Sequence, residues 1–448
     1  MSFPVLADGA ARDEAWWRQV AAFYPAPPDA IVNLEHGYFG AMAAPVQAAF
    51  EQAVRYTNEQ LSPFVRGEFT RTHVDIVRRR LAALIHAEPH EILLTRSGTE
   101  SMQVLITQYH GLAPGDTVLW SNLDYPATRT AMRWLAQRRG VTSTQVTLGL
   151  PISDDEIIAR YAQAMRQAVR PKLLLLSQVT PANGQQLPLR ALIALAREHG
   201  IDVVLDSAHA LGQVALDVRA MDVDFAGFNL HKWLGAPPGL GFVYIRAAQL
   251  HKIEPHFGDD DYPLDDIRCR LHMGMPPIGA ILAAPAALDF HERLGGTPAK
   301  TARLAWLRNY WVSRAAQLPG VRLLSPQDAL RGTALVAFAV DGMDARALQQ
   351  ALLHRFGVFT VQRNIGDMDV VRATVAVTTA TAELDQLVAA LTGLSSEATS
   401  SERNACQNRS ERKEEVAEKR NRTLVRGRRA GAHRKPPIPT RSRFGRAF

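Results

Sequence analysis

The chain has 448 residues, of which 47% are hydrophobic and 21% charged, values typical of a globular protein with a buried core and two or three domains. No apolar run approaches the roughly eighteen residues that a membrane-spanning helix needs. Only two cysteines are present, Cys269 and Cys406, which excludes a disulfide framework and a cysteine-based zinc site.

The formal net charge of +7 is unevenly distributed. Residues 394–448 hold fifteen Lys and Arg against six Glu, a charge of +9, so the remainder carries −2. This segment is poor in apolar side chains, and we predict a disordered basic tail there and no nucleic-acid binding by the folded part. The chain start lacks a basic stretch followed by an apolar run, and cysteines are few, so we expect a cytoplasmic location.

The first part of the chain predicts a large α/β layer. Residues 1–70 include the Pro-rich stretch FYPAPPDA and a turn at 35–38. From 81 to 244, short apolar runs alternate with amphipathic stretches, and continuous runs such as KLLLL indicate strands that are covered on both faces. We therefore expect a mostly parallel sheet with helices on both sides. The predicted strands are 91–95, 117–121, 141–146, 172–177, 201–206, 224–229 and 241–245, with helices at 127–139, 154–169 and 189–199.

The second part predicts a smaller layer. Residues 278–294 are alanine-rich and 301–317 continue the helical pattern, which could form one long helix linking two domains. Strand, helix, strand, strand and helix then follow at 334–340, 344–356, 358–362, 370–377 and 382–391. We expect an N-terminal segment at 1–70, a large domain at 71–275, and a linking helix with a small α/β domain at 276–393.

An aspartate ends one of the predicted buried strands. In IDVVLDSAHALG the strand ends at Asp206, and His209 follows three residues later. Ligands bind beyond the carboxyl ends of strands in open parallel sheets, and a carboxylate buried there needs a cation or hydrogen-bond donors. Asp206 could equally cap the turn that follows, because Asp-Ser-Ala-His also suits a helix start.

A lysine lies between two predicted buried strands in DFAGFNLHKWLGAPPGLGFVYI. Burial and nearby cations would lower the pKa of Lys232 and make its amine nucleophilic, as a Schiff-base lysine requires. A lysine in an exposed loop would give the same local sequence.

A strand followed by Ser97, Gly98 and Thr99 marks the predicted start of a helix. Free backbone N–H groups and the helix dipole form an anion site at such a start, although ordinary capping explains the same residues. A phosphate-binding helix start, a strand-end aspartate and a turn lysine, in this order, together indicate pyridoxal phosphate. The aspartate would keep the pyridine nitrogen of this cofactor protonated.

The motifs SGTE, DSAH, NLHKWLG and NLEHGYFG resemble those of class V aminotransferases, which are fold-type-I pyridoxal-phosphate enzymes, and in particular the isopenicillin N epimerase-like branch. The resemblance covers roughly residues 30–392. It implies an α/β fold whose large domain has a mostly parallel seven-stranded sheet, with a smaller C-terminal α/β domain. It also implies a homodimer and pyridoxal phosphate bound as a Schiff base.

The resemblance further implies roles for individual residues. Lys232 would form the Schiff base, Asp206 would pair with the pyridine nitrogen, and His209 would lie near the phenolic oxygen. Tyr125 would stack on the ring, and Arg372 would hold the α-carboxylate of the substrate in a bidentate fork. The other implied contacts are Ser97, Gly98, Thr99, Asn229 and His231 at the phosphate or lysine loop, Gln178 and Asn183 beside the ring, and Asn33, His36 and Gly37 at the substrate. No metal site is expected.

Three positions depart from the family pattern. Met275, in His-Met-Gly-Met, stands where the family has a threonine that reaches the partner subunit's phosphate, which would weaken cofactor binding. Position 98 is Gly where many relatives have Thr, and the proline expected near Val375 is missing.

The expected chemistry begins at the α-carbon of an amino acid, with the freed amine of Lys232 as general base. Transamination and epimerisation both remain open. A cysteine desulfurase would need a nucleophilic cysteine between Gly357 and Arg372, where there is none, so this activity requires that Cys269 reach the site. A kynureninase-like hydrolase or amino-acid lyase, a non-catalytic cofactor-binding protein, and a nucleic-acid or acidic-surface binder acting through the basic tail are the alternatives.

Overall fold

The computed structural model describes residues 10–26, 31–257, 260–328, 330–366, 368–398 and 400. The described residues up to Ser395 form one compact unit, which does not include the residues from Ser396 onwards. Most of the predicted basic tail at 394–448 lies outside the described residues, but 394–398 continue the preceding helix. Within these ranges no helix is both long and apolar enough to cross a bilayer.

Strands and helices alternate through most of the described residues. The strands are β1 (Val32–Asn33), β2 (Ile92–Thr95), β3 (Thr117–Ser121), β4 (Thr142–Val146), β5 (Pro171–Ser177), β6 (Asp202–Asp206), β7 (Phe225–Asn229), β8 (Gly241–Ile245), β9 (Val321–Leu323), β10 (Leu335–Val340), β11 (Val358–Phe359), β12 (Val361–Ile365) and β13 (Met368–Thr374). The α-helices are α1 (Glu14–Ala21), α2 (Ala44–Phe64), α3 (Val74–Ile85), α4 (Gly98–Thr107), α5 (Pro126–Arg139), α6 (Asp154–Gln167), α7 (Leu189–Glu198), α8 (Ile278–Arg293), α9 (Gly296–Ala315), α10 (Ala345–Phe356) and α11 (381–398).

The predicted mostly parallel, seven-stranded sheet is confirmed. Its strand order is β2-β8-β7-β6-β5-β3-β4, and β8 runs antiparallel to both of its neighbours. The continuous apolar runs lie in its centre, where every residue of Leu173–Leu176 in β5 is buried. The edge strand β4 is partly exposed and has the polar sequence TSTQV. Covering both faces of a parallel sheet with helices therefore explains the sequence pattern.

A second sheet, of order β12-β13-β10-β9, is antiparallel. The strand predicted at 358–362 is divided in the structure. Its first part, β11, pairs in parallel with β1 from the N-terminal segment, while its second part belongs to β12 and pairs with β13. The N-terminal segment is thus joined to the C-terminal part of the same unit.

The prediction of one long linking helix is wrong. The structure has two helices, α8 and α9, separated by Leu294 and Gly295. Gly295 and Gly296 have φ values of 85° and 65°, a left-handed backbone that ends a right-handed helix and that glycine adopts readily. Helix α2 is also interrupted, at Leu61 with φ 58°, two residues before Pro63.

Candidate active site

The carboxyl ends of the central strands meet at one edge of the large sheet. Ser177 at the end of β5 is paired with Asp206 at the end of β6, which is paired with Gly227 of β7. A cavity of about 810 Å³ opens at this edge. Eleven of the residues singled out in the sequence line it: Gly37, Ser97, Gly98, Thr99, Tyr125, Asp206, His209, Asn229, His231, Lys232 and Arg372.

Lys232 lies in the irregular segment between β7 and β8, with its Nζ 3.2 Å from His209 Nε2. The pKa of Lys232 is lowered to about 8, and burial is the largest cause. The carboxylates of Asp206 and Glu35 oppose this shift, whereas the positive charges of Arg372 and Arg363 act in the same direction as burial. A substantial fraction of this amine is therefore neutral near pH 7.5, as a nucleophile or general base requires.

Asp206 and His209 are both buried beside that amine. One carboxylate oxygen of Asp206 accepts a hydrogen bond from the Ala208 N–H at 3.0 Å, and burial raises the pKa of Asp206. Burial and the nearby cation of Lys232 hold the pKa of His209 well below its ordinary value, so its ring is neutral. The Nδ1 atom of His209 is buried and has no partner among the described residues.

The start of helix α4 lines the same cavity. Ser97 caps the helix by accepting a hydrogen bond from the Glu100 N–H at 3.1 Å, and the Gly98 N–H donates to Asn229 Oδ1. A Cβ atom at position 98 would lie 2.9 Å from the Asn229 side chain, which explains why this chain has Gly where Thr was expected. Glycine at position 98 is therefore required by its close packing against Asn229.

Buried polar atoms near this helix start fit an anionic group such as the cofactor phosphate. Arg129 and His231 both line the cavity. Arg129 Nε and His231 Nδ1 are buried, and neither has a hydrogen-bond partner within the described part of the chain. Such atoms are costly to bury alone, and a bound phosphate would satisfy a guanidinium N–H together with the helix dipole.

Arg372 extends from β13 of the small sheet into the same cavity. Its Nη2 donates to Glu35 Oε1 at 2.5 Å, and its Nη1 donates to the Pro181 carbonyl oxygen. Arg363 Nη2 donates to the same Glu35 oxygen at 3.2 Å. Burial lowers the pKa of Arg372 to about 10, while Glu35 opposes this shift. The predicted carboxylate-binding arginine is therefore already paired within the chain.

Some predicted residues lie outside this cavity. Gln178 lies behind Asp206, where it accepts a hydrogen bond from the Ser207 hydroxyl at 2.8 Å. Asn183 donates to the Leu324 carbonyl oxygen and so joins its loop to the small sheet. Two others, Asn33 and His36, line a second cavity of about 810 Å³ that Lys232 also borders. Met275 is 73% exposed and is not part of either lining.

Sequence reasoning missed four ionisable residues, of which Asp124, Glu35 and Lys300 are buried and Arg363 is half-buried. Asp124 lines the cavity, and burial raises its pKa to about 7. Its position just after β3 follows the same strand-end rule that identified Asp206, so the sequence contained that clue. Glu35 and Arg363 are brought to Arg372 by pairing of distant segments. Lys300, whose pKa burial lowers to about 7, donates to the Trp233 carbonyl oxygen next to Lys232. No local pattern marked these three.

Comparison with known proteins identifies similar chains. Residues 47–387 match the family described as aminotransferase class-V. The chain is 30% identical to isopenicillin N epimerase of Streptomyces clavuligerus, over 71% of this chain and 84% of that protein. It is 28% identical to a cysteine desulfurase of Dickeya dadantii (strain 3937), over 70% of this chain and 79% of that protein.

Solved structures show the same fold at lower identity. The cystine C-S lyase C-DES, in complex with its product cysteine persulfide, superposes with a TM-score of 0.72 at 24% identity, covering 81% of this chain and 98% of that one. The fold-type-I arrangement inferred from the sequence is thereby confirmed.

The positive charge of Arg363 should control how Lys232 reacts with added pyridoxal phosphate. Reaction with an aldehyde needs the neutral amine, so the rate for the cofactor-free protein should rise with pH and level off above about 8. Arg363→Met removes a charge that lowers the pKa of Lys232, so the profile should move to higher pH and the rate at pH 7 should fall about two- to fivefold. Arg346→Met, at an exposed position of α10, is the control and should leave the profile unchanged. A shift to lower pH in Arg363→Met would contradict this account.

Proposed function

Because the chain belongs to the aminotransferase class-V family of pyridoxal-phosphate enzymes, we propose that it acts on an amino acid, as an aminotransferase or epimerase, with the cofactor carried on Lys232. Support comes chiefly from one observation: a lysine amine with a pKa near 8 lies 3.2 Å from a neutral histidine and shares one cavity with a buried strand-end aspartate. These residues reach that cavity from the ends of adjacent strands, β6 and β7.

The bound cofactor would supply an electron sink for the bond broken at the substrate α-carbon. Lys232 then acts as the base that removes and returns the α-proton. The Asp206 carboxylate would stabilise the protonated pyridine nitrogen of the cofactor, and the neutral ring of His209 holds the Lys232 amine by their direct contact. The start of α4, Arg129 and His231 would hold its phosphate group.

The two arginines that line the cavity, Arg372 and Arg363, favour a substrate with a negative charge. Arg372 and Arg363 approach the cavity from neighbouring strands of the small sheet, and both line it. A guanidinium binds a carboxylate through two parallel hydrogen bonds, so this pair suits the α-carboxylate of an amino acid. We assign the cofactor to the α4 end and the substrate carboxylate to the β13 end of one cavity.

Cysteine desulfurase is the second candidate, favoured by the likeness to the Dickeya dadantii protein. That reaction uses a cysteine thiol that accepts sulfur from the substrate. Cys269 is fully buried, its Sγ lies 3.1 Å from the Asp266 carbonyl oxygen, and it does not line the cavity. Sulfur transfer to Cys269 would require a rearrangement of this core, so we favour chemistry at the α-carbon.

We expect the purified protein to be yellow, because its cofactor absorbs when bound to the lysine. Borohydride reduction followed by peptide mapping should leave the cofactor fixed on Lys232. Lys232→Ala should abolish the reduction product and any activity towards amino acids, whereas Lys172→Ala, outside the cavity, should change neither. A protein that stays colourless with added pyridoxal phosphate would contradict the proposal. The remaining interpretation would then be a binding protein without catalytic activity.

Substitution of the cysteines separates the two candidate reactions. With L-cysteine as substrate, we expect the wild type to form no persulfide on Cys269 and Cys269→Ala to act on this amino acid at the wild-type rate, because the Cys269 thiol is enclosed in the core. Cys406→Ala is the matched variant for the second cysteine and should behave in the same way. Loss of sulfur release in either variant, detected with a thiol-trapping reagent, would support the desulfurase instead.

We also propose that the protein works as a homodimer in the cytoplasm. Tyr38 is 74% exposed, and together with Tyr125 it forms an apolar rim on the cavity, which a partner subunit would cover. Light scattering should give twice the chain mass of 49.3 kDa. Tyr38→Arg should shift the protein towards monomer, whereas Val169→Arg, exposed at the end of α6, should not. A wild-type monomer with full cofactor occupancy would argue against the dimer.

A further inference from the structure

Glu35 is a buried carboxylate that lines the second cavity and contacts the two arginines, Arg372 and Arg363, that line the first. Its Oε1 accepts hydrogen bonds from Arg372 at 2.5 Å and from Arg363 at 3.2 Å. Its Oε2 is buried and has no hydrogen-bond partner among the described residues. Glu35 therefore places on these two guanidinium groups the same charge that a bound substrate carboxylate would bring, through one oxygen only.

Arg372 already uses two of its nitrogens within the chain. Nη2 donates to Glu35 and Nη1 donates to the Pro181 carbonyl oxygen. Nε is buried and, within the described ranges, unpaired. A bidentate fork through Nε and Nη2, or through both Nη atoms, would bring the incoming carboxylate to the nitrogen that binds Glu35, where the two negative charges repel each other.

We propose that Glu35 is an internal competitor for the substrate carboxylate, which must displace it from Arg372, so that Glu35 sets the affinity of the site for carboxylate ligands. This inference rests on the proposed function, since it assumes that amino acids bind at this cavity. Together with the carboxylate of Glu35, the two arginines form a group with a net charge of +1. Without its charge they carry +2 and attract an anion more strongly.

Displacement of Glu35 is coupled to the N-terminal loop at 35–40. The His36 N–H donates to the Thr374 carbonyl oxygen at 3.4 Å, and the Gly40 N–H donates to the His231 carbonyl oxygen at 2.9 Å. A Cβ atom at Gly40 would lie 1.9 Å from the Lys232 carbonyl oxygen, so the loop is in close contact with the lysine segment. Carboxylate binding therefore moves a loop that touches the backbone of Lys232.

The test compares two ligands on the cofactor-loaded protein. The first is 2-aminoisobutyrate, which has an amine and a carboxylate but no α-hydrogen, and the second is its amide, which lacks the carboxylate. Binding is followed by the absorption change of the cofactor. Glu35→Gln keeps the shape of the side chain and removes its charge, so 2-aminoisobutyrate should bind about tenfold more tightly and the amide should bind as it does to the wild type.

Glu198→Gln is the matched control, because Glu198 is exposed at the end of α7, which leads into the opposite end of β6. It should leave both affinities unchanged. Equal or weaker binding of 2-aminoisobutyrate to Glu35→Gln would overturn the inference and make Glu35 a support for Arg372. Absence of any response to both ligands in the wild type would instead overturn the proposed function, and the inference with it.

The wild-type protein provides a second measurement that does not depend on the folding of a variant. Saturating 2-aminoisobutyrate should speed hydrogen exchange at the His36 and Gly40 amides, since both hydrogen bonds belong to the displaced loop. The amide ligand should leave this exchange unchanged. Equal or slower exchange with the carboxylate ligand would overturn the displacement of Glu35.

Discussion

The amine of Lys232 is buried beside His209, and the charges that act on it come from separate parts of the chain. Burial alone would make an ammonium costly. Asp206 at the end of β6 and Glu35 in the N-terminal segment favour the charged amine, while two arginines of the small sheet oppose it. The pKa near 8 results from this balance. Both sheets and the N-terminal segment must therefore be in place before the lysine has its reactive state.

The parts of this arrangement that follow from local sequence could be predicted. Leu173–Leu176 has no polar face because helices cover both sides of the sheet, so a continuous apolar run was enough to identify β5. Asp206 is the last residue of β6 and Lys232 follows three residues after β7, and parallel strands bring their carboxyl ends to one edge. The reactive end of the cavity was therefore accessible from one sequence, with family resemblance supplying the individual roles.

The substrate end depends on contacts that no local pattern contains. Glu35 and Arg372 are 337 positions apart in the chain, and their contact follows from the isolated bridge between Glu35 and Thr374. The sequence predicts a single strand at 358–362, which ends before Arg363. Nothing in residues 358–365 shows that β11 pairs with β1 while β12 pairs with β13. By contrast, the division into α8 and α9 has a local cause, because Gly295 and Gly296 break the helical pattern that the alanine-rich residues 278–294 begin.

The N-terminal segment connects the two ends of the site. Its strand β1 is fixed by β11, its Glu35 is held by two arginines, and its Gly40 leaves no space for a side chain against the Lys232 carbonyl oxygen. The segment is thus bound at one end by the small sheet and at the other by the lysine loop. Close-packed elements shift as units. Binding of a ligand at Arg372 that displaces Glu35 will therefore also move the rest of the N-terminal segment. The chain therefore has a direct physical route by which occupancy of the substrate end alters the surroundings of the amine that performs the chemistry.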